Sequence, residues 1–332
     1  MCGANSGRAL LRFVLRGGRD LSLYHKGEIE VQTRAGVRDA ADRVRRGVRP
    51  TVPSVARHFL GTQRMAVISS IDERGRVWAT LLTGKPGFIS APSDLRVRVE
   101  AKPIASDPLR DSLHVGASVG VLVIDFARKM RMRINGIVTS ETISNFEMET
   151  REVYPNCAKY IHARTLESCE DDKEKPPPIV VRSVSLSGMQ QKSVGVADTF
   201  FIASQHPEMG ADASHRGGPA GMIRMVDECS ILWPDYSGNS MFNTLGNISV
   251  NPSAGLLFVD FKGGNTLQLT GKARTMWDAD LAAEFPGAGR VVEFRIEQVI
   301  EVTNAVTCGW RVTEQNQRVE ILAETQIRGE QT

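Results

Sequence analysis

The feature that most restricts how this chain can fold is an internal repeat with a spacing of 134 to 135 residues. Five residues of the first half recur as identical residues 134 positions later, namely Ser70, Ala79, Gly84, Gly87 and Ile89. After one inserted residue, the apolar run 119–126 aligns with 254–261, and Gly136 aligns with Gly271. Ordered matches through strands and turns indicate two similar β domains in tandem. Two such domains would imitate a homodimer within one polypeptide.

The pattern of apolar residues predicts a mainly β fold with flanking helices. Strands at 65–70 and 77–82 form a hairpin around the glycine-containing turn 72–75. Further strands are predicted at 87–90, 95–99, 119–126 and 130–138. Helices are predicted at 28–34, 37–46, 53–60, 107–115 and 153–167.

A charged, proline-rich segment at 171–178 is the best candidate for a linker between the two domains. The predicted organisation is a flexible segment 1–24, a first domain 25–170, this linker, a second domain 179–315 and a tail 316–332.

Composition limits the kind of protein. A chain of 332 residues can form two domains with separate cores. The net charge of +3 and the lack of a compact basic run argue against nucleic-acid binding, and no apolar run approaches the length of a membrane span. Five scattered cysteines without metal-ligand spacing predict a reduced, cytoplasmic chain without a metal site.

The first 19 residues leave one alternative open. They contain four arginines, no acidic residue and several apolar residues, which is typical of an organellar transit peptide. The other interpretation, and the favoured one, is a disordered segment or a wrongly assigned start.

The stretch 233–252 is the best candidate for the functional site. A strand ends at Trp233 in a turn rich in Asp, Gly and Asn, and a helix is predicted to begin near Asn239 or Ser240. A polar turn before a helix presents free backbone N–H groups and the positive end of the helix dipole, which together suit a phosphate.

Several motifs in order give the chain a resemblance to a known family. In the second half they are DASHRGG (212–218), PAGMI (219–223), PDYSGN (234–239), NTLGN (243–247) and LQLTG (267–271). In the first half they are GRVWA (75–79), GKPGF (84–88) and RING (133–136). Both halves resemble the FMN-binding split-barrel family, the superfamily of pyridoxamine 5′-phosphate oxidase. The resemblance implies two tandem split β-barrels that form a pseudo-dimer, with a flavin at their interface.

The resemblance also implies a set of cofactor-binding residues. Arg216 and Arg224 would supply the cations for the FMN phosphate. The hydrogen-bonding partners would be Ser214, Asp235, Asn239, Ser240 and Thr244. Gln268 would reach the flavin ring or its ribityl chain. Met241 departs from the family, which usually has a basic residue there.

Each basic candidate has a simpler interpretation. Arg224 also fits the outward position of a strand, and Arg216 also fits a surface loop. His215 is either an acid/base group or a loop histidine, and the second is favoured. Cys157 beside Lys159 is either a reactive thiol or a buried helix cysteine, and the second is the commoner case.

The first-half counterpart of the turn is 102–108, where Asp107 stands at the predicted anion position. A carboxylate there would repel phosphate. We therefore expect one flavin per chain, with its phosphate on the second half.

The function predicted is an FMN-dependent oxidoreductase acting on a small organic substrate, with NAD(P)H or O₂ as electron partner and with a homodimer left open. The alternative is a non-catalytic flavin- or haem-binding protein of the same fold. Catalytic residues are not assigned. The G-x-S-x-G match at 116–120 is rejected as a nucleophile elbow, because a strand and not a helix is predicted after its serine.

Overall fold

The computed structural model describes residues 24–169, 176–306 and 308–313. Six helices flank the sheets in these ranges: α1 (Lys26–Arg34), α2 (Arg38–Arg45), α3 (Ser54–Thr62), α4 (Gly188–Gly195), α5 (Asn243–Val250) and α6 (Ala279–Ala283). The three helices predicted at the start of the first domain are confirmed. None of the described helices is long and apolar enough to cross a membrane.

The first sheet has seven strands in the order β2-β1-β5-β6-β7-β4-β3. They are β1 (Met65–Ile71), β2 (Val77–Thr83), β3 (Ile89–Ser93), β4 (Arg96–Val99), β5 (Ser118–Asp125), β6 (Met130–Glu141) and β7 (Phe146–Asn156). The strand β8 (Arg164–Cys169) lies outside this sheet, and the next strand, β9 (Ile179–Ser183), pairs with the second sheet.

The second sheet has the order β11-β10-β14-β15-β16-β13-β12, which repeats the first, and β9 pairs with β16. Its strands are β10 (Thr199–His206), β11 (Gly210–Gly217), β12 (Arg224–Asp227), β13 (Ser230–Tyr236), β14 (Ser253–Val259), β15 (Thr266–Met276) and β16 (Ala288–Thr303). The strand β17 (Cys308–Val312) pairs with β8. The predicted mainly β class is confirmed.

The two sheets share a bulge at the glycines that the repeat aligns. The register of β6 on β7 shifts at Gly136, and the register of β15 on β16 shifts at Gly271. A Cβ at Gly271 would lie 1.9 Å from Arg295 O, and one at Gly136 would lie 2.0 Å from Glu149 O. Only glycine fits such a close approach of neighbouring strands.

The two faces of strand β5 belong to two different hydrophobic cores. Val119, Val121 and Val123 lie in the core of the first sheet. Leu122 and Ile124, on the opposite face, lie in a core between the sheets that also contains residues of β10, β11 and β14. Because both faces are buried, the run is apolar at nearly every position.

The sheets pack against each other reciprocally. A Cβ at Gly120 of β5 would lie 2.8 Å from Asp212 Cα of β11. At the matching place in the repeat, a Cβ at Gly255 of β14 would lie 2.7 Å from Trp78 Cα of β2. The same backbone approach is therefore made twice, as in the two-fold interface of a homodimer.

Two predicted helices are wrong. Residues 153–167 contain the end of β7, a turn and the start of β8, because Val153 and Tyr154 pair with β6. Residues 107–115 form successive turns, in which Arg110 N donates to Asp107 O and Ser112 N donates to Leu109 O. These bonds span three residues, and Leu109 and Leu113 are held in the first core, so no α-helix is completed.

The expectation of a fully reduced chain is also wrong. Cys169 of β8 and Cys308 of β17 lie opposite each other and form a disulfide across a sequence separation of 139. Their pairing depends on how the ribbon of β8 and β17 closes, which the sequence spacing does not reveal. Cys157 and Cys229 are free.

Several predictions concern residues outside the described ranges. The arginine-rich segment 1–19, most of the proposed linker 171–178 and the tail 316–332 fall there. The division into domains at 171–178 stays a prediction.

Candidate functional site

A cleft of about 150 Å³ lies between the two sheets, at the turn that joins β13 to α5. The first sheet contributes Arg131 and Arg133 of β6 and two residues that end or follow β7, Asn156 and Cys157. The second sheet contributes His215 and Arg216 of β11, Arg290 of β16, the turn itself and the start of α5.

The turn differs from its predicted form at the helix start. Ser240 and Phe242 have φ values of 65° and 60°, which a right-handed helix does not accept, so α5 begins only at Asn243. Asn239 holds the turn together, because its Oδ1 accepts from Met241 N (3.1 Å) and its Nδ2 donates to Asn156 Oδ1 (2.8 Å) of the other sheet.

Met241 points away from the cleft. Its side chain is 1% exposed and lies in a small core with Tyr24, Ala41 and Tyr154. The position that is usually basic in the family therefore carries an apolar anchor for the turn in this chain.

The charges around the cleft do not cancel. Four arginines line it, and two aspartates lie beside them. Arg216 Nη1 donates to Asp235 Oδ1 (2.7 Å), and Arg290 Nε lies 3.5 Å from Asp235 Oδ2. Arg133 Nη1 lies 3.3 Å from Asp212 Oδ2. Two positive charges remain in excess.

Of the four arginines, Arg131 has no contact with a carboxylate within the described part of the chain. Its Nη1 donates to His215 Nδ1 (2.7 Å), and its guanidinium also interacts with the Cys157 thiol. Burial and the neighbouring Arg133 lower the pKa of Arg131 to about 10, so it remains charged at neutral pH. An anion in the cleft would relieve this unfavourable environment.

The contact with Arg131 fixes the tautomer of His215. Because an arginine can only donate, Nδ1 of His215 accepts and Nε2 carries the proton. Burial, together with Arg131 and other nearby cations, lowers the pKa of His215 well below its usual value. His215 is therefore a neutral donor on a strand, not the loop histidine that the sequence suggested.

Buried donors without partners collect at this cleft. Among the described residues, those that line the cleft have the following buried atoms without a hydrogen bond: Arg131 Nε, Arg133 Nε, Arg216 Nε, Arg290 Nε and Nη1, Asn156 Nδ2, His215 Nε2 and the acceptor Asn243 Oδ1. A buried polar group left without a partner costs about 1–3 kcal/mol. A donor-rich, positively charged set of this kind suits an anionic ligand, and a phosphate above all.

Most of the site residues predicted from the sequence meet at the cleft. Arg216, Asp235, Asn239, Ser240 and Thr244 line it. Ser214 lies directly behind, with its Oγ 2.9 Å from Thr244 Oγ1.

The structure does not bring Arg224 to the cleft. It lies at the exposed edge strand β12, where it pairs with Glu284 and stacks over Phe285. This position agrees with the alternative interpretation of Arg224 as an outward-facing residue of an alternating strand.

Gln268 is also absent from the cleft. Its Nε2 donates to Thr80 Oγ1 (2.9 Å) and to Asp107 Oδ2 (3.0 Å) of the first sheet. Burial raises the pKa of Asp107 to about 6. This buried network fills the first-half counterpart of the cleft, at the position where Asp107 was expected to disfavour an anion.

Three arginines of the cleft were missed, namely Arg131, Arg133 and Arg290. The repeat contained a signal for Arg133, because it aligns with Gln268 at the same offset as Gly136 with Gly271. In a two-fold arrangement, each cleft is formed by a turn of one sheet and a strand of the other. The strand position of Gln268 would therefore be supplied to this cleft by Arg133 of the first sheet. Arg290 is one more arginine on a strand and gave no comparable signal.

The second half of the chain matches the sequence model of a known family. Residues 192–303 match the sequence model for pyridoxamine 5′-phosphate oxidase. This segment belongs to the pyridoxamine 5′-phosphate oxidase-like family. It contains β10 to β16 and α5, and therefore all of the cleft that the second sheet contributes. Comparison with curated proteins found no match.

Comparison with solved structures found similar chains, including the following three. HupZ of Group A Streptococcus is 13% identical, with 37% of this chain and 100% of that chain covered at a TM-score of 0.30. A putative pyridoxamine 5′-phosphate oxidase from Lactobacillus delbrueckii is 17% identical, with coverages of 35% and 94% and a TM-score of 0.30. An FMN-binding protein from Syntrophomonas wolfei is 9% identical, with coverages of 33% and 80% and a TM-score of 0.25.

Proposed function

We propose that the cleft binds the phosphate end of FMN and that the protein is a flavin-dependent oxidoreductase. The observation that carries this proposal is the set of buried, unpartnered donors on Arg131, Arg133, Arg216, Arg290 and His215. A phosphate monoester carries a charge of about −1.5 to −2 at neutral pH, which matches the excess of two positive charges. Family membership of the second half supports a flavin as the source of that phosphate.

The cleft is large enough to enclose only part of an FMN molecule. Pockets that enclose a whole cofactor usually measure roughly 300–1,000 Å³, whereas this cleft measures about 150 Å³. The phosphate and the adjoining chain therefore fit inside, and the flat ring would lie at the mouth. The lining residues there include Tyr160 and Tyr236, which stack with centroids 5.3 Å apart.

The residues of this chain would bind and orient, while the flavin would supply the hydride and electron transfer. The arginines neutralise the phosphate, and the neutral His215 donates through Nε2 without competing for a proton. Asn243 Oδ1 is an unpartnered acceptor among donors, so it suits a ligand hydroxyl. A small organic substrate would approach the exposed mouth, with NAD(P)H or O₂ as the electron partner.

Titration of FMN into the purified protein tests the binding proposal. We expect saturable quenching of flavin fluorescence, with competition by inorganic phosphate and a marked loss of affinity in Arg131→Ala. Arg224→Ala, at the edge strand, is the matched control and should bind like the unchanged protein. A protein that takes up no FMN, or equal losses in both variants, would overturn the proposal.

A non-catalytic flavin-binding role is the second candidate, and the small cleft with its stacked tyrosines favours it. Anaerobic addition of NADPH or NADH to the FMN-loaded protein separates the two. Bleaching of the flavin absorbance supports the oxidoreductase, whereas an unchanged spectrum with both nucleotides supports the binding protein.

A further inference from the structure

The residues that line the cleft include an exposed free thiol, which the flavin binding proposed above does not use. Cys157 follows directly after β7, lines the cleft and is exposed. It was expected to be a buried helix cysteine, but it lies in an irregular segment beyond the strand.

The surroundings of Cys157 are electropositive. The guanidinium of Arg131 interacts with its thiol, and Arg133 and Arg216 line the same cleft. His215 lines the same cleft, is only 5% exposed, and has no hydrogen-bond partner for its Nε2 among the described residues. Reactive cysteines are found in partly exposed, electropositive places of this kind.

The acidic groups near the cleft do not cancel the positive charge around Cys157. Asp235 is engaged by Arg216 and Arg290, and Asp212 is engaged by Arg133. An anionic reagent that approaches Cys157 therefore meets attraction from Arg131 together with the unpartnered donors behind it.

We propose that Cys157 is a modification site for anionic low-molecular-weight disulfides, and that the adduct occupies the anion cleft. The thiolate of Cys157 attacks one sulfur of the disulfide, the old S–S bond breaks and a new one forms to Cys157. The other half of the reagent leaves as a thiolate and takes up the proton that Cys157 lost. Closure of the cleft to FMN by this adduct rests on the function proposed above, whereas the selectivity of the thiol does not.

Cys229 provides a matched comparison within the chain. It is free and half-buried, and its backbone N–H donates to Asp227 Oδ1 (2.8 Å). Glu228 precedes it directly. The two free thiols of the described residues therefore lie in electrostatic surroundings of opposite sign.

The first experiment compares alkylation by iodoacetate, which is anionic, with alkylation by neutral iodoacetamide, using peptide mass spectrometry of the full chain. We expect the iodoacetate-to-iodoacetamide rate ratio at Cys157 to exceed that at Cys229 on the order of tenfold, and to fall with added salt. Inorganic phosphate should protect Cys157 and leave Cys229 unaffected. Equal ratios at the two cysteines, or protection of neither, would overturn the proposal.

The second experiment uses oxidised glutathione as the disulfide. A mixed disulfide should form at Cys157, weaken FMN binding at least tenfold and be reversed by mild reductant. In Cys157→Ser the FMN titration should be identical with and without oxidised glutathione, whereas Cys229→Ser should keep the sensitivity. An adduct at Cys157 with unchanged FMN affinity would overturn the closure of the cleft. Failure to bind FMN at all, with the alkylation selectivity intact, would reject only the proposed function.

Discussion

Arg133 and Gln268 occupy the same position in their sheets and reach across the interface to different partners. Arg133 lies opposite Leu122 in β5, and Gln268 lies opposite the equivalent Leu257 in β14. The guanidinium of Arg133 meets Asp212 and faces a cleft with unpartnered donors. Gln268 instead completes a buried network with Thr80 and Asp107. The cleft beside Arg133 is therefore open and charged, whereas the equivalent space beside Gln268 is filled by side chains.

Replacing Arg133 by the residue at its equivalent position tests this asymmetry. Arg133→Gln removes one positive charge from the cleft, and a hydrogen bond to a charged group contributes about 1.5–3 kcal/mol. We expect FMN affinity to fall about 10- to 100-fold, with a stoichiometry of one per chain in the unchanged protein, both measured by calorimetry. Arg224→Gln should change neither value, and a stoichiometry of two would contradict the asymmetry.

Met241→Arg should destabilise the fold, even though it restores the basic residue common in the family. The side chain is buried with Tyr24 and Tyr154, and Gln32 Nε2 donates to the Met241 carbonyl (2.8 Å). A buried charge without a partner costs several kcal/mol, so thermal unfolding should occur at a clearly lower temperature. Met189→Arg, at a side chain that is 81% exposed, is the control and should change little.

Glu28→Gln should alter the pH dependence of stability. Glu28 of α1 accepts from Asn243 Nδ2 (2.9 Å) and from His25 N (3.0 Å), and burial raises its pKa to about 8. Since the folded state then favours the protonated acid, its contribution to stability is complete below about pH 4.5 and is lost as the pH rises to about 8. One pKa unit corresponds to about 1.4 kcal/mol, so the loss amounts to several kcal/mol.

The variant should therefore gain stability relative to the unchanged protein as the pH rises from about 5 to 8, in urea unfolding at each pH. His25 acts in the opposite sense, because burial lowers its pKa from 6.5 to about 4. Its contribution is present above about pH 6.5 and is lost as the pH falls through 4, in both proteins. A constant difference between the two proteins at every pH would contradict the role given to Glu28.

Gly271→Ala should disrupt the bulge that β15 makes on β16. The added methyl would lie 1.9 Å from Arg295 O, which the backbone can relieve only by moving one strand. Overpacking of a rigid site typically costs about 1–3 kcal/mol. The measurement is the free energy of unfolding in denaturant. Gly188→Ala is the control, because an added Cβ there would meet nothing within 4 Å apart from its chain neighbours and the backbone of its own helix.

Cys308→Ser should lower stability through loss of the link to Cys169. Removing a native disulfide typically costs about 2–5 kcal/mol. Unfolding curves with and without reductant should differ for the unchanged protein and coincide for the variant. Curves that coincide for both proteins would show that the bond contributes nothing.

The fold was predictable where local sequence patterns, namely the repeat and the apolar runs, determine the structure. The local apolar pattern predicted the main strands of the first sheet, the repeat indicated a second similar domain, and the apolar run of β5 reflects burial on both faces. The helix expected at 153–167 failed because pairing with β6, a contact between distant residues, outweighed the local pattern. The bond from Cys169 to Cys308 was missed for the same reason.

The candidate site was predictable on one side only. The turn and α5 follow from local sequence, and the family resemblance pointed to Asp235, Asn239 and Thr244 within them. Arg131 and Arg133 approach from the other sheet, and their distance from the turn is set by packing. Gln268 was placed at this cleft by the resemblance, whereas its side chain reaches Thr80 and Asp107 across the interface, a contact that only packing reveals.

The reciprocal packing of Gly120 on Asp212 and of Gly255 on Trp78 has a genetic consequence. In a dimer of identical subunits, every substitution at the interface appears in both clefts, so neither can change without the other. Here each cleft is encoded by its own codons. The network of Asp107, Thr80 and Gln268 can thus fill one place, while selection continues to act separately on the arginines of the other.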